Sequence, residues 1–142
     1  MFSRQDLSKL EVIHSLVVKH FVYTADFKKF KLQEYWEGDV IGVATLQGGL
    51  KLQGDCEEYA MTCMRKCIDS GFSARLVMCF TETNEGHAIC EVASPDGRAA
   101  LYFDNRRRRV VRREELQGYR FISCSPWNPR PRENRPWVLV RQ

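Results

Sequence analysis

The sequence predicts a single mixed domain in which helices come first and an antiparallel run of strands follows. Three observations predict it. Apolar residues recur at helical spacing near the start and again after residue 55. From residue 75 onward they fall in short strand-length blocks. Ser94-Pro95-Asp96-Gly97 then supplies a hairpin turn between two of those blocks, with proline where φ near −65° is wanted. A length of 142 residues suits one core, and no repeat or linker divides it.

The first helix is predicted from about residue 4 to about 21. Ser3 and Asp6 form an acidic version of a capping box, and Leu7, Leu10, Ile13, Leu16, Val17 and Phe21 make its apolar stripe. His14 and His20, on or near this helix, read as surface or core-edge residues. From Val22 to Gln53 the pattern is irregular, punctuated by Trp36, Gly38, Gly42, Gly48 and Gly49. It reads as short strands or loops over the core, suited to one wall of a cleft. A second helix should begin at Cys56, with Asp55 as N-cap and Glu57 and Glu58 at its positive end. Ala60, Cys63, Met64 and Cys67 form its buried stripe, and Ser70-Gly71 stops it. Strands follow over 75–81, 87–93, 99–105 and 119–124. The tail over 126–142 is expected to be irregular, because Pro126-Trp127-Asn128-Pro129-Arg130-Pro131 resists regular structure and Trp127 or Trp137 pins it to the surface.

Composition narrows the class. At 44% hydrophobic and 28% charged residues, the chain is neither disordered nor membrane-embedded. No apolar run approaches the roughly 20 residues needed to cross a bilayer. The N-terminus passes directly into an amphipathic pattern without a secretory core segment, so the expected compartment is the cytoplasm. Six cysteines could pair, but three share one helix (Cys56, Cys63, Cys67) while Cys79, Cys90 and Cys124 sit in apolar strand patterns. Reduced, mostly buried thiols are expected. Zinc is disfavoured: there is no Cys-x-x-Cys pair, and the three histidines are scattered.

The net charge of +4 is unevenly spread, since Arg106, Arg107, Arg108, Arg109, Arg112 and Arg113 fall within eight residues. Such a cluster can hold phosphates or an acidic protein surface. The simpler reading is a solvated hairpin edge that discourages strand-to-strand aggregation.

Against this background one constellation carries chemistry. Gly54-Asp55-Cys56-Glu57-Glu58-Tyr59-Ala60 puts a cysteine where a helix begins, and His87 and Asp104 come from adjoining strands. A thiol with a pKa near ~8.5 is mostly protonated at neutral pH, and the helix N-terminus and an adjacent imidazolium would favour its thiolate. Glu57 and Glu58 oppose ionisation unless they point away or bind a cation. Hairpin register chooses the third member. A loop symmetric about the Pro95–Asp96 bond sets His87 opposite Asp104, whereas a three-residue loop with a glycine bulge sets it opposite Asn105. The set is therefore Cys-His-Asp or Cys-His-Asn.

The stretch from about Tyr35 to Trp137 resembles the bacterial transglutaminase-like cysteine proteinases. The resemblance rests on Gly54-Asp55-Cys56-Glu57-Glu58-Tyr59-Ala60, Lys66, Gly71-Phe72, His87-Ala88, Phe103-Asp104-Asn105 and Tyr119-Arg120-Phe121-Ile122-Ser123. It implies an α+β, papain-like or transglutaminase-like core in which the cysteine-bearing helix packs on an antiparallel sheet. It also implies a triad of Cys56, His87 and Asp104. Members of the family that release adhesins use calcium near the nucleophile, and Asp55 and Glu57 occupy the corresponding positions. A compact chain with no export signal departs from those secreted members and fits a phage or mobile-element protein acting in a bacterial host.

The leading functional reading is a thiol hydrolase acting on peptide, isopeptide or amide bonds of a protein or peptide substrate. The Cys56 backbone N–H and a side-chain donor such as Gln53 would stabilise the oxyanion. The same acyl-enzyme could serve a deamidase, a transglutaminase or a peptidoglycan hydrolase. A different class, a binding module using Arg106 to Arg113 for nucleic acid or acidic protein, lacks aromatic residues interleaved for base stacking.

Overall fold

The structure is a computed structural model that describes residues 1–23 and 56–141, excluding the side chains of 20–23. The expectations for Asp55, Gln53 and the 22–53 segment with Trp36 and its glycines fall outside the described residues, as does the side chain of His20. Helix α1 spans Arg4–Tyr23 and α2 spans Cys56–Asp69. Strands β1 (Ser73–Phe80), β2 (Gly86–Ala93), β3 (Ala100–Phe103), β4 (Arg120–Cys124) and β5 (Val138–Leu139) form one antiparallel sheet. Its spatial order is β3-β2-β1-β4-β5, and the architecture is α+β, with two helices and a five-stranded sheet among the described residues.

Local chemistry explains the ends of the helices. At the start of α1 the Ser3 backbone N–H donates to Asp6 (2.9 Å) and the Asp6 N–H donates to Ser3 Oγ (3.0 Å), satisfying two orphan donors reciprocally. At the end of α2, Phe72 N–H reaches the Cys67 carbonyl and Gly71 N–H the Ile68 carbonyl, both at 3.0 Å. Gly71 takes φ +93°, the left-handed conformation that this closure requires.

Side-chain alternation gives the sheet two buried faces. Leu76, Met78, Ala88, Cys90, Val92, Leu101 and Phe103 meet α2, and α1 packs on α2 through Leu10, Ile13 and Val17. The residues between them, Val77, Cys79, Ile89 and Tyr102, meet Val111, Leu116 and Tyr119 from the connection between β3 and β4. That connection contains a short 3₁₀ helix, Arg113–Glu115. Strand β2 is consequently buried along seven of its eight residues, including Glu91, whose carboxylate is paired with Arg75. A bulge where β1 meets β4 at Met78/Cys79 resets the alternation of β4.

Four expectations need correction. Leu7 and Leu16 are exposed, so the core-facing stripe of α1 is narrower than the sequence suggested. Of the surface and core-edge readings of His14, the surface one is overturned: it is buried beside Phe103 and Tyr59, with Nε2 3.2 Å from the Arg107 carbonyl. The tail is not irregular throughout. Asn128 exchanges hydrogen bonds with Ala74 at the start of β1, Trp137 is buried while Trp127 stays half-exposed under Arg75, and Val138–Leu139 adds the edge strand.

The fourth correction concerns hairpin register. Cys90 pairs with Phe103 and Ala93 with Ala100, so neither expected register holds and β3 ends before Asp104. The loop is longer because Ser94 N–H bonds the Ala99 carbonyl while its hydroxyl accepts from Ala99 N–H (3.1 Å) and donates to Asp96. The expected Ser94–Gly97 turn sits inside that loop, with Gly97 at φ +73°. The pairing has slid by two residues relative to the symmetric hairpin. An even slip leaves every side chain on its face, so His87 and Asp104 still project from the same side.

Two contacts tie the loop after β3 to the first helix. Glu11 accepts from Val110 N–H at 3.0 Å, and one turn further along α1 His14 meets the Arg107 carbonyl.

Candidate active site

Where β2 begins, the start of α2 and the ends of two loops enclose a cleft of about 240 Å³. Cys56 and His87 both line it, with Thr81, Glu85, Asn105 and Arg106 among the remaining walls. A larger hollow of about 310 Å³ lies between α1, Leu101 and the 109–115 region, but its lining has neither thiol nor imidazole. Chemistry, not size, singles out the first.

Each site residue has a structural reason for its position. Cys56 is the first residue of α2, where backbone N–H groups lack intrahelical partners and the helix dipole is positive. Its Sγ lies 3.6 Å from Glu57 Oε2. Glu58, expected at the positive end of this helix, is buried. His87 is the second residue of β2, paired across the sheet with Cys79. The tight connection over residues 81–85, closed by Thr81 N–H to the Glu85 carbonyl, brings the chain back at that point.

Asp104 follows β3 directly and is fully buried. His87 Nε2 lies 2.7 Å from Asp104 Oδ1, which also accepts from Arg106 N–H at 3.0 Å. Tyr119 donates its hydroxyl to Oδ2 at 2.6 Å, and Arg107 Nε stands 3.8 Å from the same oxygen. Burial pushes the Asp104 carboxyl up, but the hydrogen bonds from His87, Tyr119 and the Arg106 backbone outweigh it and hold the group below the usual carboxylate range. Asp104 is therefore an anion at neutral pH. With Nε2 committed to it, Nδ1 is the ring nitrogen left to serve the cleft. Asn105, the other expected partner, is exposed and lines the cleft instead.

The other thiols differ in setting. Burial raises Cys63 and Cys90 well above the ordinary thiol value, raises Cys79 likewise, and pushes Cys124 up to about 11. None of these lines the cleft. Of the predicted metal residues, Glu57 is described and Asp55 is not; no group of three potential metal-binding side chains occurs among the described residues. Gln53 also lies outside them.

The arginine run stays at the surface, but most of its side chains are paired within the fold. Arg106 forms a two-nitrogen pair with Glu82 and donates to the Tyr119 hydroxyl at 2.8 Å. Arg109 pairs with Glu115, Arg112 lies within 3.8 Å of Glu114 and Glu115, and Arg113 donates to the Leu116 and Tyr119 carbonyls while covering Phe121. Only Arg108 has no ion pair or ring contact among the described residues. Sequence reasoning gave no role to Tyr119, because its partner Asp104 is 15 residues away and across a layer.

Comparison with known proteins bears on the whole chain. Residues 1–141 match the family described as bacterial transglutaminase-like cysteine proteinase. No curated protein sequence matches. Among solved structures, an EGTA-treated form of Legionella pneumophila LapG is similar at a TM-score of 0.50 and 13% identity, covering 94% of this chain and 86% of that one. Another LapG structure from that organism gives 0.49 and 14%, covering 92% and 87%. A calcium-bound form gives 0.45 and 14%, covering 82% and 83%. At such identities the likeness speaks to the fold alone.

Proposed function

The chain belongs to the bacterial transglutaminase-like cysteine proteinase family and is a cysteine peptidase, and on that footing we propose that Cys56, His87 and Asp104 are its nucleophile, base and orienting group. The observation that carries this reading is the shared cleft of Cys56 and His87, with His87 held from behind by a buried carboxylate. His87 Nδ1 takes the thiol proton as Sγ attacks the substrate carbonyl carbon, giving a tetrahedral oxyanion. The Cys56 backbone N–H, at the positive end of the α2 dipole, is the main-chain donor we assign to the developing charge. Gln53 is the residue we propose as the side-chain donor. Collapse expels the amine, which receives the proton from imidazolium, and leaves a thioester on Cys56. Water deprotonated by His87 then releases the acid and restores the thiol. Asp104 stays ionised throughout and stabilises the imidazolium by charge and orientation.

The substrate is a protein or peptide, with a peptide, isopeptide or side-chain amide bond as the group attacked. Internal pairing of the arginines favours this reading over one in which Arg106 to Arg113 hold nucleic acid, since five of those side chains already have partners in the fold.

Calcium enters the proposal on electrostatic grounds. A carboxylate 3.6 Å from Cys56 Sγ opposes thiolate formation, and a cation held by Glu57 and Asp55 would offset it. The described residues alone do not make such a site, so no step above depends on it.

The test is a trapped thioester. Wild-type protein incubated with a bacterial lysate and quenched in acid should carry a hydroxylamine-sensitive mass increment on Cys56, absent in Cys56→Ser. Iodoacetamide should modify Cys56 selectively, and His87→Ala should remove that selectivity. Equal modification of the six cysteines, with no adduct, would sink the proposal.

A further inference from the structure

Tyr119 and Arg106 form a chain that ends on the carboxylate behind His87. Arg106 is gripped by Glu82, from the connection between β1 and β2, through both terminal guanidinium nitrogens. This holds the Glu82 carboxyl down to about 2. From the same guanidinium, Nη1 donates to the Tyr119 oxygen. A guanidinium has no acceptor, so the tyrosine oxygen must accept there and spend its own proton elsewhere. Arg107, which also bears on that hydroxyl and stands 3.8 Å from Asp104 Oδ2, is likewise a donor only. Among the described residues the acceptor for the tyrosine proton is therefore Asp104 Oδ2, 2.6 Å away. The direction of every bond is thereby fixed: Arg106 to Tyr119, Tyr119 to Asp104. Burial and the Asp104 contact push the Tyr119 phenol well above its ordinary value, so it remains a donor at any working pH.

The surroundings make the chain stiff. Tyr119 is buried, its ring meets the His87 ring edge-on at 6.0 Å, and Arg113 anchors its carbonyl. Beside it Gly118 approaches Glu82 so closely that an added Cβ would lie 2.8 Å from the Glu82 Cβ. A carboxylate has two oxygens and can rotate about its bond. Fixing Oδ2 on Tyr119 determines where Oδ1 points, and Oδ1 is the atom that meets His87.

We propose that Tyr119 is a positioning residue for the reaction: with Arg106 behind it, its hydroxyl locks the Asp104 carboxylate in the orientation, and in the ionised state, that His87 needs to activate Cys56. This rests on the proposed roles of those three residues. Its signature is a pH profile, since loss of a donor to a carboxylate makes that carboxylate easier to protonate.

The readout needs no substrate: the rate of Cys56 carboxymethylation by iodoacetamide, mapped by peptide mass from pH 3.5 to 9. Tyr119→Phe keeps the ring and removes the hydroxyl. We expect its rate at pH 7 to fall severalfold and the acid limb of its profile to move to higher pH, while the melting transition stays cooperative. Arg106→Gln alters a partly exposed side chain and is safe for folding; it should shift the limb in the same direction by a smaller amount. An acid limb that is unchanged or lowered in both variants overturns the inference. His87→Ala separates it from the reading beneath. If His87→Ala leaves the Cys56 profile as in wild type, the assignment of His87 as base fails. If His87→Ala abolishes the profile while Tyr119→Phe and Arg106→Gln match wild type, only the positioning role falls.

Discussion

Replacing Asp104 with asparagine keeps the shape of the side chain and removes its charge, and the consequences for stability can be worked from its contacts. The buried carboxylate accepts from His87 and Arg106 N–H on one oxygen and from Tyr119 on the other. An amide has one oxygen. Turned toward His87, it keeps two of those bonds and sets its NH₂ against the Tyr119 hydroxyl, which is already occupied by Arg106. One hydrogen bond to a charged acceptor is lost, worth about 1.5–3 kcal/mol. For a domain of this size each kcal/mol corresponds to roughly 2–4 °C in Tm, so Asp104→Asn should melt about 3–12 °C lower at pH 7. The sign with pH follows from linkage. The folded carboxyl titrates below its unfolded value, so its contribution is complete above the unfolded pKa of about 3.9 and is lost as pH falls through the folded one. The gap between wild type and variant should hold from pH 7 to about 5 and close below about pH 4. Circular dichroism melts across that range measure it. No gap at pH 7, or one that persists undiminished in acid, would refute the network as described.

Other outcomes are equally specific. Gly118→Ala forces φ +84° on a residue with a Cβ and drives that Cβ into Glu82. It should cost more than about 1–2 kcal/mol in urea titrations, and wild-type stability would contradict the close approach. Phe103→Ala empties a fully buried site between α1, α2 and the sheet, with an expected loss of about 3–5 kcal/mol by the same assay. Thiol labelling of the native protein at pH 7 should spare Cys63, Cys79, Cys90 and Cys124, whose ionisation burial suppresses, and label them only on denaturation. If Glu57 and Asp55 bind calcium, saturation to a hundredfold over Kd should stabilise by about 2.7 kcal/mol relative to EGTA, and Glu57→Gln should abolish the difference.

Local signals made much of this molecule legible. The Ser3–Asp6 box, the helix opening at Cys56, the stop at Gly71 and the apolar block of β2 are each decided by residues within a few positions of one another. The pairing of β2 with β3 was beyond reach, because side-chain bonds from Ser94 lengthen the loop and no local rule counts them. Asp104 nevertheless meets His87, since the slip is even. The partners of the arginines were equally hidden: five of the six do lie at the surface, but Glu82 and Tyr119 come from other parts of the chain to meet Arg106. Buried His14 and Glu58 belong to the same category, being polar residues whose surroundings are assembled only when distant segments close over them.

The pair of contacts from Glu11 and His14 to the loop beyond β3 carries a practical lesson for anyone shortening this protein. Those two side chains, one turn apart, act as pegs for the backbone of the loop that begins with Asp104. A version trimmed ahead of the cysteine helix would retain the three side chains proposed for catalysis and lose the mooring of one of them. Such a minimal fragment would be a poor reporter of activity, and affinity tags belong at the far terminus.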